Sequence, residues 1–394
     1  MSDGVRIRSG SCGPAKGFVA SDGLLERVYG SVRASVTPFL GWLTRIPCTE
    51  FTSGHEWPAW RATPTAAAAA RQHNVDVQVI FVGCARNIGG VLREGREHID
   101  ALGAHFSNHR LLFWEDSSAD ETLLVLRQWA SRDQRVRLLS GQPPAIAWRR
   151  RLTRTARLAF ARDVLLREAL HAFDARRSPL VPQFLVALDL DCPPPVLSPA
   201  RLAETVLRML RPAPWRQQWH VLSANSVPSY YDKWALRSRD LAVQDDCLRD
   251  HDAHDARHCF ALDIRIARQA PVLAVDSAFN GAAVLAVEAL RRSGCTYGTT
   301  VDLTACEHVG FNRCLRRHGL RLGIDPSLVV SCGAEHAHPE VRKAARVDLR
   351  PDGSLRWRGD ACTANATVPV PANATTWPCR RAAMRSRQLR AVKW

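Results

Sequence analysis

From Val75 to Gly141 the chain alternates short apolar runs rich in β-branched residues with polar turns and helical stretches. Val75–Val82 reads as a strand ending at Gly83-Cys84-Ala85-Arg86-Asn87, where Asn87 is expected to cap a helix from Ile88 to Leu102. Arg110–Trp114 repeats the pattern, leading through Glu115-Asp116-Ser117-Ser118 into a helix from Asp120 to Ser131, and Val136–Leu139 is a third strand ending at Ser140-Gly141. Strands separated by helices are joined by crossovers over a sheet face, which makes them parallel, and the crossovers are expected to be right-handed. The expected fold is α/β: a doubly wound, mostly parallel central sheet flanked by helices. In such a sheet all carboxyl ends share one edge, and ligands bind there.

The most informative strand is the next one. Phe184-Leu185-Val186-Ala187-Leu188 stops at Asp189-Leu190-Asp191, and Cys192 and three prolines then end it. The two-residue period of an extended segment puts Asp189 and Asp191 on one side. Hard carboxylate oxygens at that place suit Mg²⁺ or Mn²⁺, ions that link protein carboxylates to substrate phosphates.

Other residues converge on the same edge. Glu115 and Asp116 follow the second strand, as the acidic residues that contact a base or ribose do in nucleotide-binding sheets; helix capping is the alternative reading. The first strand lacks Gly-x-Gly-x-x-Gly, which disfavours an NAD-type domain, and no Gly-Lys-Ser/Thr loop occurs, which excludes a P-loop NTPase. The amphipathic helix Arg154–Leu170 carries Arg154, Arg157 and Arg162 at helical spacing, and the Arg162-Asp163 pair interrupts its apolar face. Ser198 is expected to cap a helix to Leu210, and Trp219–Asn225 reads as a further strand.

Composition sets the class of partner. The net charge is +16, and only four of the 54 basic residues are lysine. Arginine suits phosphate contacts, yet these arginines are spread through the helices rather than gathered, and no aromatic-basic RNA motif or zinc-finger spacing occurs. No nucleic-acid partner is expected. Twelve cysteines without a C-x-x-C pair allow several disulfides in an oxidising compartment. Asn365-Ala366-Thr367 and Asn373-Ala374-Thr375 fit the N-glycosylation pattern. No stretch is long and apolar enough for a membrane span, and the first residues lack a signal-peptide core.

A family likeness becomes visible at the aromatic segment after the fifth strand-like run. Arg86-Asn87, Glu115-Asp116, Leu188-Asp189-Leu190-Asp191 and Tyr231-Asp232-Lys233-Trp234-Ala235-Leu236-Arg237, in that order, resemble the fungal capsule-associated α-1,3-mannosyltransferases, which are GT-A fold glycosyltransferases. Val275–Ala283 is similar to their acceptor-side loop, here expected to enter a helix to Leu290. Cys306–Asn312 is similar to their Glu-His segment, at the head of a helix to His318, and Gly323–Val330 to the closing strand. The likeness spans residues 75 to 332.

The resemblance implies a GT-A-type domain at 73–345, between an irregular extension (1–72) and a tail (346–394). It implies transfer of mannose from GDP-mannose to a glycan acceptor in α-1,3 linkage with retention, assisted by Mn²⁺ or Mg²⁺. Asp191 would hold the ion, with Asp189 reaching it through water or contacting the ribose, and His308, or else His336, completing the metal shell. Arg86, Glu115, Asp116, Arg162 and Asp163 would bind the nucleotide sugar, Arg162 on the diphosphate. Asn225, Tyr231, Asp232, Trp234, Asn280 and Gly281 would shape the sugar and acceptor pocket. Glu307 and His308 are the catalytic candidates, Glu307 as the base that an inverting reaction would need. Family members carry an amino-terminal membrane anchor, which is not visible here, so the resemblance's Golgi or secretory lumen and the cytoplasm both stay open. A UDP-sugar donor, an inverting reaction, a nucleotidyltransferase and a non-enzymatic basic binding protein remain as alternatives; Gly83–Asn87 is a poor match to the glycine-rich basic loop of a nucleotidyltransferase.

Overall fold

The computed structural model describes residues 9–11, 47–49, 75–140, 154–173, 181–191, 197–241, 243, 262–300, 306–330 and 345–359. Most of the expected 1–72 extension, His336 and both glycosylation-type asparagines lie outside them; within that extension Ser9–Ser11 pairs antiparallel with Pro47–Thr49.

The expected α/β architecture is what the chain forms. Strand β1 (Val75–Ala85), helix α1 (Gly89–Gly103), β2 (Phe106–Glu115), α2 (Thr122–Arg132) and β3 (Val136–Ser140) lead to α3 (Arg154–Ala172) and β4 (Gln183–Asp189). Then come α4 (Pro199–Leu210), β5 (Val221–Ser226), β6 (Leu262–Ile266), β7 (Leu273–Ala274), β8 (Ala282–Ala286), α5 (Val287–Ser293), α6 (Glu307–Arg317) and β9 (Leu322–Val330). The main sheet has the order β3-β2-β1-β4-β8-β5-β9-β7. Its β1–β4 half is entirely parallel, and only β8 and β7 run against the rest.

Alternation along the strands builds a core on each face. On one face Val79, Phe81, Val186 and Leu188 pack with α1, α2 and α4; on the other Ile80, Val82, Leu185 and Ala187 pack with α3, α5 and α6. Each of the valine, leucine, isoleucine and phenylalanine side chains among them contributes about 1.5–3 kcal/mol by burial, so neither layer can be peeled away cheaply. Ser198 caps α4 as expected, accepting from the Arg201 N–H, with Pro199 at the first helical position.

Two expectations need correction. Ala282–Ala286 is not the entrance of a helix but a strand wedged antiparallel between β4 and β5. Its Ala282 and Val284 serve one core and Ala283 and Leu285 the other, and burial on both faces is met by a strand. Residues 346–359 are not loose tail either. Ala345–Leu349 (β10) and Leu355–Gly359 (β11) join β6 in a three-stranded sheet, with β10 parallel to β6. The Arg346-Val347-Asp348-Leu349 alternation, with Val347 and Leu349 buried, is the signature of a half-buried strand.

The sheet reverses its winding between β1 and β4, because the chain moves outward from β1 to β2 and β3 and then returns to β4 on the other side. Register sets the carboxyl ends level there: Cys84 lies opposite Asp189, and Ala85 opposite Glu115. Gly83 permits the turn beyond Asp189, since a Cβ there would stand 2.7 Å from the Leu190 side chain.

Candidate active site

Three groups gather at this edge. The first is the tip of β4. Asp191 is exposed, and Asp189 is partly covered, its backbone N–H donating to the Gly281 carbonyl at 2.8 Å. One Asp189 oxygen (Oδ1) accepts from Arg162 Nη2 at 3.1 Å, and Arg162 Nε donates to Glu307 Oε1, also at 3.1 Å. The guanidinium is buried against the Phe279 ring, 4.8 Å from its centroid. Burial alone would lower its pKa, but the carboxylates of Asp189 and Glu307 outweigh that and push it well up. Burial pushes the Asp189 carboxyl up, Arg162 pulls it back and Asp191 adds to the rise. The expected contact of Arg162 with a diphosphate is therefore not what the structure presents: this cation bridges two protein carboxylates.

Glu307 is equally engaged. Its second oxygen accepts from the Cys306 thiol at 3.6 Å, and its side chain is 5% exposed. His308 lies beside it, stacked on Phe279 at 3.9 Å and edge-on to Tyr297. Burial, then the Arg162 charge, pushes His308 well below the usual imidazole range, so the ring is neutral at pH 7. Glu307 and His308 thus sit behind Arg162 rather than facing an open cleft. Nor do ligand atoms of Asp189, Asp191 and His308 converge within 4.8 Å of one another. Two carboxylates remain for a cation. That donor set fits Mg²⁺ or Mn²⁺, which keep waters and take substrate phosphate oxygens as further ligands.

The second group lies at the ends of β1 and β2. Asp116 accepts from Arg86 at 3.4 Å and pairs with Arg157. Arg157 belongs to the same helix as Arg162 but reaches the other side of the crevice; the sequence lists both arginines and does not say which one turns inward. Glu115 is buried and accepts from the Ser118 N–H at 2.5 Å, so it shapes the turn in which Ser117 adopts φ 53°. Bracing this turn, rather than capping a helix or contacting a nucleotide, is the role the geometry gives Glu115. Asn87 does not cap α1. It takes φ 54°, and its side chain accepts from Ala119 N–H at 2.8 Å. The first free N–H groups of α1 go instead to Thr122 Oγ1 (from Ile88, 2.8 Å) and Asp120 Oδ2 (from Gly89, 3.0 Å). Gly89 is required there, because a Cβ would lie 2.6 Å from Glu121 Cγ and 2.9 Å from the Thr122 nitrogen.

The third group is the aromatic segment with the loop before β8. Asp232 accepts from the Asn280 N–H at 3.0 Å, and Asn280 Oδ1 accepts from the Asp232 N–H at 3.2 Å and from Ser226 Oγ at 3.3 Å. This reciprocal lock holds Asn280 and Gly281 at φ 59° and 82° beside the Asp189 backbone. Burial pushes Asp232 up to about 6 against the two N–H groups it accepts. Burial and then the charges of Asp189 and Asp232 push up the half-buried Tyr231 phenol, with Asp191 adding to them, which locates Tyr231 near the β4 tip. Trp234 is part of the same turn, packed on the core.

Two expected site residues turn out to be internal. Asn225 is fully buried and donates to the Ile266 and Pro326 carbonyls. Asp163 faces away from Asp189 and accepts from Tyr297 N–H at 2.5 Å and Gly298 N–H at 2.7 Å. Phe279, Cys84 and Cys306 received no site role from the sequence, although Cys84 sits in a strand-like run where a buried core thiol is expected. Cys84 borders the Arg162 cluster, and burial pushes its thiol up to about 12, with Arg162 opposing. Only its register opposite Asp189 could have drawn attention to it.

No family model matches the chain, and no curated protein matches it. Solved structures to which it is similar include a mannosyltransferase from Pyrobaculum calidifontis in complex with GDP-Man and Mn²⁺, at 16% identity, 78% of this chain, 66% of that chain and a TM-score of 0.38. S. aureus TarS 1-349 gives 11% identity, 64% of this chain, 59% of that chain and 0.36. Glucosyl-3-phosphoglycerate synthase from Mycobacterium tuberculosis, with Mn²⁺, UDP and glucosyl-3-phosphoglycerate, gives 15%, 69%, 76% and 0.35. The chain spans less than two thirds of the length of the first two.

Proposed function

We propose that this chain is a divalent-cation-dependent glycosyltransferase that moves mannose from GDP-mannose onto a glycan acceptor, in α-1,3 linkage with retention. The observation that carries the reading is the pair Asp189 and Asp191 at the carboxyl tip of β4, at the winding reversal of the sheet, with Tyr231 and the Asp232–Asn280 lock beside it. The nature of the donor and the linkage rests on the resemblance of Tyr231–Arg237 and its companion segments to the fungal mannosyltransferases.

Asp191, exposed at the tip, would hold Mg²⁺ or Mn²⁺, with Asp189 reaching it through water or binding the ribose. Bound there, the ion supplies Lewis-acid stabilisation of the departing diphosphate. Arg162 favours the ionised form of Asp189 and aims the carboxylate, acting through it rather than on the substrate. Arg86 and Asp116 line the nucleotide side. Tyr231 and Trp234, with the Asn280-Gly281 turn, shape the sugar side. The engagement of Glu307 by Arg162 and Cys306 supports retention, because the carboxylate an inverting reaction would use as base is already occupied.

The test is release of GDP from GDP-mannose by the purified chain with Mn²⁺, Mg²⁺ or a chelator, with UDP-sugars as parallel donors. Activity with one donor, lost with chelator and in Asp191→Asn while circular dichroism stays unchanged, is the expected result. Absence of both turnover and binding for every nucleotide sugar in Mn²⁺ would overturn the reading, as would an Asp191→Asn variant with unaltered rate.

A further inference from the structure

At the far end of α6 from Glu307, Cys295, Cys314 and His318 bring two sulfurs and an imidazole together, with their ligand atoms all within 4.8 Å of one another. Cys314 and His318 stand i, i+4 at the end of α6 and so project from one face. Cys295 follows Gly294, whose left-handed φ of 60° ends α5, and its backbone N–H donates to Ser293 Oγ at 3.4 Å. Each ligand is thus fixed by a helix end. The two sulfurs form a disulfide with Cα atoms 5.8 Å apart. That bond makes no use of His318, whose exposed ring makes no hydrogen bond among the described residues.

We propose that this cluster is a redox-gated zinc site. A dithiol reductant opens the S–S bond, leaving two thiols and becoming a disulfide itself. Zn²⁺ then displaces the two thiol protons and forms two Zn–S bonds and one Zn–N bond to His318, with water as fourth ligand. Two thiolates and an imidazole in a tetrahedral set favour Zn²⁺ over Mg²⁺ or Ca²⁺. At Zn–S distances of about 2.3 Å the sulfurs stand about 3.7 Å apart, which side-chain rotation supplies without moving the helices. Reoxidation by a disulfide releases the ion. In either state α5 stays tied to α6, the helix that begins with Glu307.

Co²⁺ serves as the spectroscopic probe on the full chain, reduced with dithiothreitol and desalted without oxygen. The reduced protein is expected to give tetrahedral d–d bands with thiolate charge transfer, bleached by one equivalent of Zn²⁺, and the oxidised protein none. Since the chain holds twelve cysteines, Cys314→Ser must remove the spectrum for the site to be this one. His318→Ala, at an exposed position, should weaken Co²⁺ binding about tenfold or more and decides the matter if Cys314→Ser does not fold. A reduced protein without tetrahedral bands, or a His318→Ala variant that binds as wild type, would overturn the proposal.

Discussion

Replacing Arg162 by methionine keeps the volume of the side chain and removes its charge. Glu307, with 5% of its side chain exposed, then has no cation, and His308 beside it is neutral. Removing one partner of a buried pair costs about 3–5 kcal/mol, because the orphaned charge stays out of water. Asp189 adds little to that, since 30% of its side chain meets solvent. Against a total stability of about 5–15 kcal/mol the loss is large. Urea unfolding followed by tryptophan fluorescence should show the midpoint falling by about 1–2.5 M, for an m value of about 2–3 kcal/mol/M. The double variant Arg162→Met with Glu307→Gln should recover much of this, since it no longer buries a lone charge. The loss should also depend on pH. Burial already raises Asp189, and losing Arg162 removes the charge that pulls it back, so in the variant its folded carboxyl stands further above its unfolded value. A raised acid stabilises below its unfolded pKa, and that stability is lost as pH rises through the folded one. The variant's deficit must therefore be larger at pH 8 than at pH 5. A deficit below about 1 kcal/mol, or one that ignores both pH and the second substitution, would refute the clamp.

Three further outcomes follow from the same geometry. Gly89→Ala should destabilise by about 1–3 kcal/mol in chemical unfolding, because the new Cβ meets the Thr122 backbone at 2.9 Å. Asn280→Ala should cost about 1–2 kcal/mol more than Asn280→Gly: both lose the bonds to Ser226 and Asp232, but only alanine is strained at φ 59°. Asp163, pushed up to about 7 by burial, stabilises the fold at acid pH and progressively less from about pH 4 to 7; Asp163→Asn should flatten that part of the stability–pH curve by about 2–4 kcal/mol.

The sheet was legible because apolar alternation and turn residues report local conformation. Val75–Val82 and Phe184–Asp189 needed no partner to be recognised as strands. Ala282–Ala286 was missed because alanine and leucine read equally well as helix, and only burial between β4 and β5 decides otherwise. In the site, Asp189 and Asp191 were legible as candidates from a two-residue period, although β4 ends at Asp189 and Asp191 lies in the turn beyond it. Direction was not: the sequence puts Arg162 and Asp163 side by side, and the fold sends one to Asp189 and the other to the Tyr297 backbone. Partners 145 residues apart, such as Arg162 and Glu307, leave no local pattern.

One such long-range pairing bears on where an anion could sit. In open α/β sheets the amino end of the first helix commonly receives a phosphate, because its free N–H groups and dipole point into the crevice. Here Asp120 and Thr122 from the next turn already fill that end of α1, and the hydrogen bonds depress the Asp120 carboxyl below its usual range. A substrate diphosphate placed there would have to displace a carboxylate that the helix itself stabilises. On the proposed reading the phosphates are therefore directed toward the tip of β4. That tip is acidic, and Arg162 is committed between Asp189 and Glu307, so a divalent cation would favour the meeting of two anionic partners there by standing between them. The proposed dependence on metal would then follow from how the first two turns are stitched together, and Asp120→Ala, which vacates the α1 terminus, should weaken the dependence of donor binding on Mn²⁺ in a titration calorimeter while Asp191→Asn abolishes it.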